Sequence, residues 1–183
     1  MEIVKNFTQS KIVKNLFLVF LGSMLLAISS KIKIPFYPVP MTMQTMVILI
    51  IGIGYGWKLG VATISLYLFE GLIGLPVFAG TPEKGIGIVY FTGPTMGYLV
   101  GFVVTTFFVG KFNFNNSYIY NFFKLTFAIS FIYILGILWL GTLIGWEKPI
   151  FKLGVQPFLL AELFKVLLVT FAINQIKKIK KLL

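Results

Sequence analysis

Residues 157–176 read PFLLAELFKVLLVTFAINQI, an apolar run long enough to cross a bilayer, yet it holds Glu162 and Lys165 near its centre. On insertion scales an acid or a lysine at mid-span costs roughly 2.5–3.5 kcal/mol. Spacing of i, i+3 puts the two on one helical face, where they can turn together toward a protein interior. Buried ion pairs are weak stabilisers, and ionisable groups inside a membrane mark binding sites and pathways. The functional reading is a site for a small polar solute. A neutralised pair that only fixes helix packing is the alternative.

The rest of the chain agrees with a lipid setting. Of 183 residues, 58% are hydrophobic and only 11% charged. The mean hydropathy is +0.95. A soluble domain carries roughly 25% charged residues, so this chain cannot cover itself with polar surface. Six apolar segments follow one another at about residues 16–30, 42–55, 59–73, 94–109, 118–143 and 157–176. The expected fold is an all-α integral membrane bundle of six helices, one membrane domain over residues 1–183. The second and third segments fall short of the ~20 residues that a span needs, which calls for tilt, thinning or shielding by neighbours. Residues 1–14 are polar, and no cleavage-site pattern follows the first apolar run, so no secretory signal is expected.

All 16 basic residues are lysine, and all but Lys165, which belongs to neither side, sit at or near the ends of the apolar runs. Six spans put both termini on one side. That side holds ten of them, namely Lys5, Lys11, Lys14, Lys58, Lys111, Lys124, Lys177, Lys178, Lys180 and Lys181. The other side holds Lys31, Lys33, Lys84, Lys148 and Lys152, five in all. The excess predicts cytoplasmic termini in a plasma membrane. Membrane lipid is the partner that this placement implies, and nucleic acid is not, despite a net charge of +11. Cysteine and histidine are absent. No cofactor or metal is expected.

Two connections stand out on the outer side. Residues 31–41, KIKIPFYPVPM, hold three prolines and must run extended or turned. Residues 75–93, LPVFAGTPEKGIGIVYFTG, hold four glycines and two prolines. Irregular backbone beside a membrane bundle lies against protein or a water-filled cavity, so both read as walls or lids of an outward pocket. Pro94 suits a helix's first turn, with Thr92 one candidate N-cap and Tyr98 a turn further on as an aromatic wall. Gln44 is an amide near another helix start, with Thr42 its candidate cap. Glu70 has three open readings: snorkelling to the interface, capping a neighbouring helix, or contacting Lys165. Gly22, Ser23 and Ala27 are small residues of the first helix that let another backbone come close, either internal or from a partner. Gly52 and Gly54 read as close helix packing.

Taken together, PVPMTMQTMVILIIG (38–52), LYLFEGLIGLPVFAG (66–80), FTGPTMGYLVGF (91–102) and QPFLLAELFK (156–165) resemble the biotin-specific S component of energy-coupling factor transporters, the BioY family. The resemblance covers nearly the whole chain. It implies six helices with both ends inside, and an external biotin pocket closed by the loops after the first and third helices. It also implies docking on an energy-coupling transmembrane protein powered by two ABC-type ATPases, with Gly22, Ser23 and Ala27 nearest to the family's docking motif. The chain departs from the family pattern at Ala161-Glu162, where glycine-aspartate is usual. A second departure is Thr81-Pro82-Glu83, inserted between Gly80 and Gly85.

Biotin offers two ureido N–H donors, one carbonyl, a sulfur-bearing ring and a carboxylate. Lys165, Glu162, Gln44 and Tyr98, with Phe78, Val77 and Phe36, are the side chains expected to meet it. Gly80 and Glu70 are expected nearby. Lys165 is placed at the carboxylate and Glu162 at a ureido N–H. The expected function is capture of biotin for uptake, without catalysis. The rivals are a carrier of the same fold for another small vitamin, an intramembrane enzyme built on Glu70, Glu162 and Lys165, and a structural subunit.

Overall fold

The computed structural model describes residues 11–182, with side chains through residue 178. Lys5 and most of the polar N-terminal stretch lie outside the described residues, as do the side chains of Lys180 and Lys181. Helix α1 spans Lys11–Lys31, and a small antiparallel pair follows, β1 (Lys33–Ile34) with β2 (Met41–Thr42). The proline-rich stretch between the two strands turns back through bends at residues 37–39, one of the two forms that its composition allows. Helix α2 (Gln44–Leu72) comes next, then the short α3 (Ile88–Phe91), α4 (Met96–Lys111) and α5 (Tyr118–Ile144). Helix α6 (Ile150–Gly154) and a 3-10 turn (Gln156–Phe158) lead into α7 (Leu159–Leu182).

Helix α2 is two spans. Gly56 breaks it with φ 74° and ψ 176°, a conformation that residues with a side chain essentially do not adopt. Beyond the break the chain doubles back. Gln44 Nε2 lies 2.7 Å from the Tyr67 hydroxyl, whereas 23 residues of straight helix would separate them by about 35 Å. Counting both arms of α2, six segments cross the bundle among the described residues, and the last ends on the side where the first began. The lysine excess makes that side cytoplasmic.

Backbone proximity holds the bundle together. A Cβ on Gly110 of α4 would come within 2.3 Å of the Trp57 nitrogen at the α2 turn. A Cβ on Gly52 would meet Val109 at 2.7 Å, and one on Gly101 would meet the Ile132 backbone at 2.5 Å. In lipid, where apolar burial drives little association, such close approach supplies the packing. The outward faces are lipid-facing bulk such as Phe17, Phe127, Phe164 and Phe171.

Helix lengths place the site. The first arm of α2 has 12 residues before Gly56, about 18 Å against a hydrocarbon core of about 30 Å. Its start at Gln44 therefore lies inside the membrane's depth. The space above it is taken by β2, by residues 75–95 and by the kinked entry to α7. Two expectations about caps change. Thr92 does not cap α4, because its hydroxyl bonds back to Val89 O and it closes α3. Helix α4 begins two residues after Pro94. Thr42 does receive the Gln44 N–H, at 3.3 Å.

Candidate functional site

Glu162 and Lys165 are both buried, at 6% and 4% exposure, and form an ion pair of 2.7 Å along α7. The fold supplies their other partners from the start of α2. Lys165 Nζ donates to Thr42 O at 2.6 Å, to Thr45 Oγ1 at 3.1 Å and to Glu162 Oε1 at 2.7 Å. An ammonium has three protons, and all three are placed. Thr45 in turn donates to Glu162 Oε1 at 2.8 Å. One carboxylate oxygen is thus held twice, by an ammonium and by a hydroxyl. The other, Oε2, is buried without a hydrogen-bond partner among the described residues. The Tyr133 hydroxyl of α5 faces the same carboxylate.

That carboxylate opens onto a hollow of about 550 Å³, its mouth included. The walls are mostly apolar and aromatic, with Phe78, Tyr90, Tyr98, Phe102, Tyr133 and Phe158 around Gln44, Thr45 and Glu162. A pocket that is apolar except for a few convergent polar groups is the usual form of a small-molecule site. The Lys165 side chain lies behind this wall. It lines a second, larger groove between β1–β2 and α7, together with Ile34, Phe164 and Leu168.

The lid is pinned through its backbone. Ser30 Oγ and the Tyr67 hydroxyl both donate to Val77 O, at 2.7 and 3.1 Å. Lys31 Nζ donates to Phe78 O at 2.9 Å, and Tyr90 donates to Ala79 O at 2.8 Å. Burial holds the Tyr90 phenol above its ordinary pKa, with a hydrogen bond to Thr95 opposing, so it stays a neutral donor. These bonds drive Phe78 into the cavity wall. Its ring stacks on Tyr90 at 4.6 Å and meets Tyr67 edge-on at 5.2 Å. Gly71 makes room for it, since a Cβ there would sit 2.0 Å from the ring.

Of the residues expected at the site, the structure brings Glu162, Gln44, Tyr98 and Phe78 to one cavity. Tyr98 donates its hydroxyl to Gly154 O at 2.9 Å, and so presents a ring face more than a polar tip. Val77 contributes its carbonyl to the lid bonds. Phe36 stands outside, edge-on to Phe158 at 6.0 Å. Gly80 turns the lid at φ +81° beneath the Lys84 chain. Glu70 is away from Lys165, hydrogen-bonded by Ser23 of α1. Gly22 and Ser23 are buried, Gly22 against Thr63 of α2, and Ala27 is half-buried against the core. The small face of α1 is therefore filled by an internal neighbour. Sequence reading passed over Thr45, Tyr67, Tyr90 and Tyr133. A tyrosine hydroxyl inside the apolar run 118–143 was the available signal for Tyr133, because buried hydroxyls need partners.

Comparisons with known proteins agree with this architecture. The BioY family model matches residues 3–181. A probable biotin transporter BioY from Pyrococcus horikoshii is 34% identical over 152 residues, covering 83% of this chain and 89% of that protein. Its counterpart from Rickettsia prowazekii is 31% identical over 165 residues, covering 89% and 83%. A crystal structure of the S component for biotin from an ECF-type ABC transporter superposes with a TM-score of 0.76. It shares 24% identity and covers 93% of this chain and 94% of its own, a likeness of fold. The chain belongs to the BioY family, as a multi-pass transport protein of a prokaryotic cell membrane and not an enzyme.

Proposed function

We propose that this chain is the biotin-binding membrane subunit of an uptake system. The observation that carries the reading is Glu162 Oε2, a buried carboxylate oxygen in a cavity wall that makes no well-formed hydrogen bond among the described residues, although the Tyr133 hydroxyl faces the group. Leaving such an acceptor dry and unpaired costs on the order of 1–3 kcal/mol or more, and a ligand N–H returns that energy as affinity. A ureido ring offers the N–H, and its carbonyl suits the Tyr133 hydroxyl. The sulfur ring suits the faces of Phe78 and Phe158.

The role given to Lys165 differs from the reading that put it at the vitamin's carboxylate. Its three protons are already used and its side chain stays behind the wall. It acts through Glu162, holding that carboxylate in place with an ion pair of 2.7 Å. A carboxylate brought to the same end would face Glu162 Oε2 with like charge. The acidic tail therefore points toward the loops.

The sequence holds no G-x-x-x-x-G-K-[ST] loop to bind ATP phosphates in the P-loop manner, and inward delivery falls to a separate energy-coupling module with two ABC-type ATPases. Capture from outside comes first, with the lid closed over the ring, and the bundle then tilts in the membrane to release biotin inside. Calorimetric titration of the purified chain in neutral detergent tests the reading. Biotin binds without ATP, and riboflavin and thiamine do not compete. Displacement of biotin by either one would assign the cavity to a different vitamin.

A further inference from the structure

The outer end of the molecule carries three cations that the ring-binding chemistry leaves unused. Lys31 ends α1 with its ammonium on Phe78 O at 2.9 Å and Thr81 Oγ1 at 3.1 Å. Lys84 lies along the other side of the same turn, its methylenes packed over Gly80, where a Cβ would meet Lys84 Cδ at 2.9 Å. Lys33 stands on β1 directly opposite Thr42, a residue of the cavity wall, and itself lines the second groove beside that cavity. Burial, and then the Lys33 charge, pull the Lys84 ammonium below its ordinary pKa. Lys33 also repels Lys31, and Glu83 is the acid that acts on it. Three like charges held within each other's field, against one acid, oppose their own assembly. The interior offers no such excess, because Glu162 and Lys165 cancel.

We propose that Lys31, Lys33 and Lys84 form an electrostatic collar that captures the ligand by its carboxylate and sets which end enters first. The inference rests on the biotin reading above. An anion approaching the loops is drawn to the collar, while Glu162 Oε2 repels it from the cavity floor. The neutral ring goes in and the tail stays at the lysines. Clefts of one sign bordered by low-dielectric walls raise association rates in this way, with little effect on dissociation when the charges stay solvated.

Stopped-flow association in neutral detergent tests the collar, with biotin and with biotinamide, which keeps the ring and chain but carries no charge. Lys31 is left in place because it also holds the lid. For the double variant Lys33→Gln/Lys84→Gln, biotin association slows about fivefold at low salt and dissociation is unchanged. The difference closes near 0.5 M salt, where screening falls to a few ångströms. Biotinamide association is unchanged. Equal slowing of both probes, or no slowing of biotin, overturns the proposal. A second arm needs no variant: in the unaltered protein biotin association falls with salt and biotinamide association does not. A flat salt response for biotin overturns the collar even if the variant misfolds. If neither probe binds the unaltered protein, the vitamin reading itself fails and the collar falls with it.

Discussion

At the scale of single residues, the site depends on one carboxylate whose two oxygens do different work. Oε1 is fixed by Lys165 and Thr45, which leaves Oε2 aimed and undersupplied. Replacing Glu162 by Gln removes the anion from a charge-assisted bond and strands the Lys165 cation. Biotin affinity falls about 10- to 100-fold by calorimetry, in line with 1.5–3 kcal/mol for such bonds. An unchanged affinity would remove Glu162 from the site. Thr45→Val keeps the shape and deletes the hydroxyl that joins the pair. Lys165 then loses an acceptor and Glu162 a donor, for a loss of about 1–3 kcal/mol read as a lower melting temperature in detergent.

At the scale of elements, two glycines decide whether the cavity exists. Gly71 gives Phe78 its place, and any Cβ there overlaps the ring at 2.0 Å. Gly71→Ala expels Phe78 and frees residues 75–87. Hydrogen exchange in that loop rises and biotin binding drops more than tenfold, while helix content by circular dichroism stays the same. Loss of helix together with binding would instead make Gly71 a general folding residue. Gly56 makes the return between the arms of α2. Gly56→Ala forces a side chain into a backbone region open almost only to glycine, at a cost of about 1–3 kcal/mol, measurable as reduced thermal stability.

At the scale of the whole molecule, the short first arm of α2 matters most. Among the described residues, four helices are long and apolar enough to cross a membrane, α2 being counted once although Gly56 divides it, and α4 has only 16 residues. Short spans leave a hollow at one end, and irregular backbone fills it where it can lie against protein. Orientation follows from charge and can be measured directly, because the chain has no cysteine of its own. A lone cysteine replacing Lys84 reacts with an impermeant maleimide from outside the cell. One replacing Lys178 reacts only after permeabilisation. The reverse pattern would invert the topology and place the cavity on the cytoplasmic side.

The sequence alone determined the lipid setting, the six segments, the side that holds the termini and the family. Each of these follows from quantities that add along a chain, such as apolar length, lysine placement and the spacing of motifs. It also singled out Glu162 and Lys165, since a charge inside an apolar run is conspicuous wherever the run folds. What it left open was direction. Whether Lys165 faces the ligand or stands behind Glu162 depends on acceptors 120 and 123 residues away, at Thr45 and Thr42. Whether Glu70 meets Lys165 depends on Ser23 reaching it first. Ser23 itself lies inside the bundle because Thr63 and its neighbours on α2 fill that face of α1. Partners so distant along the chain become neighbours only when the helices pack, so tertiary structure decided which charges are spent and which one is free.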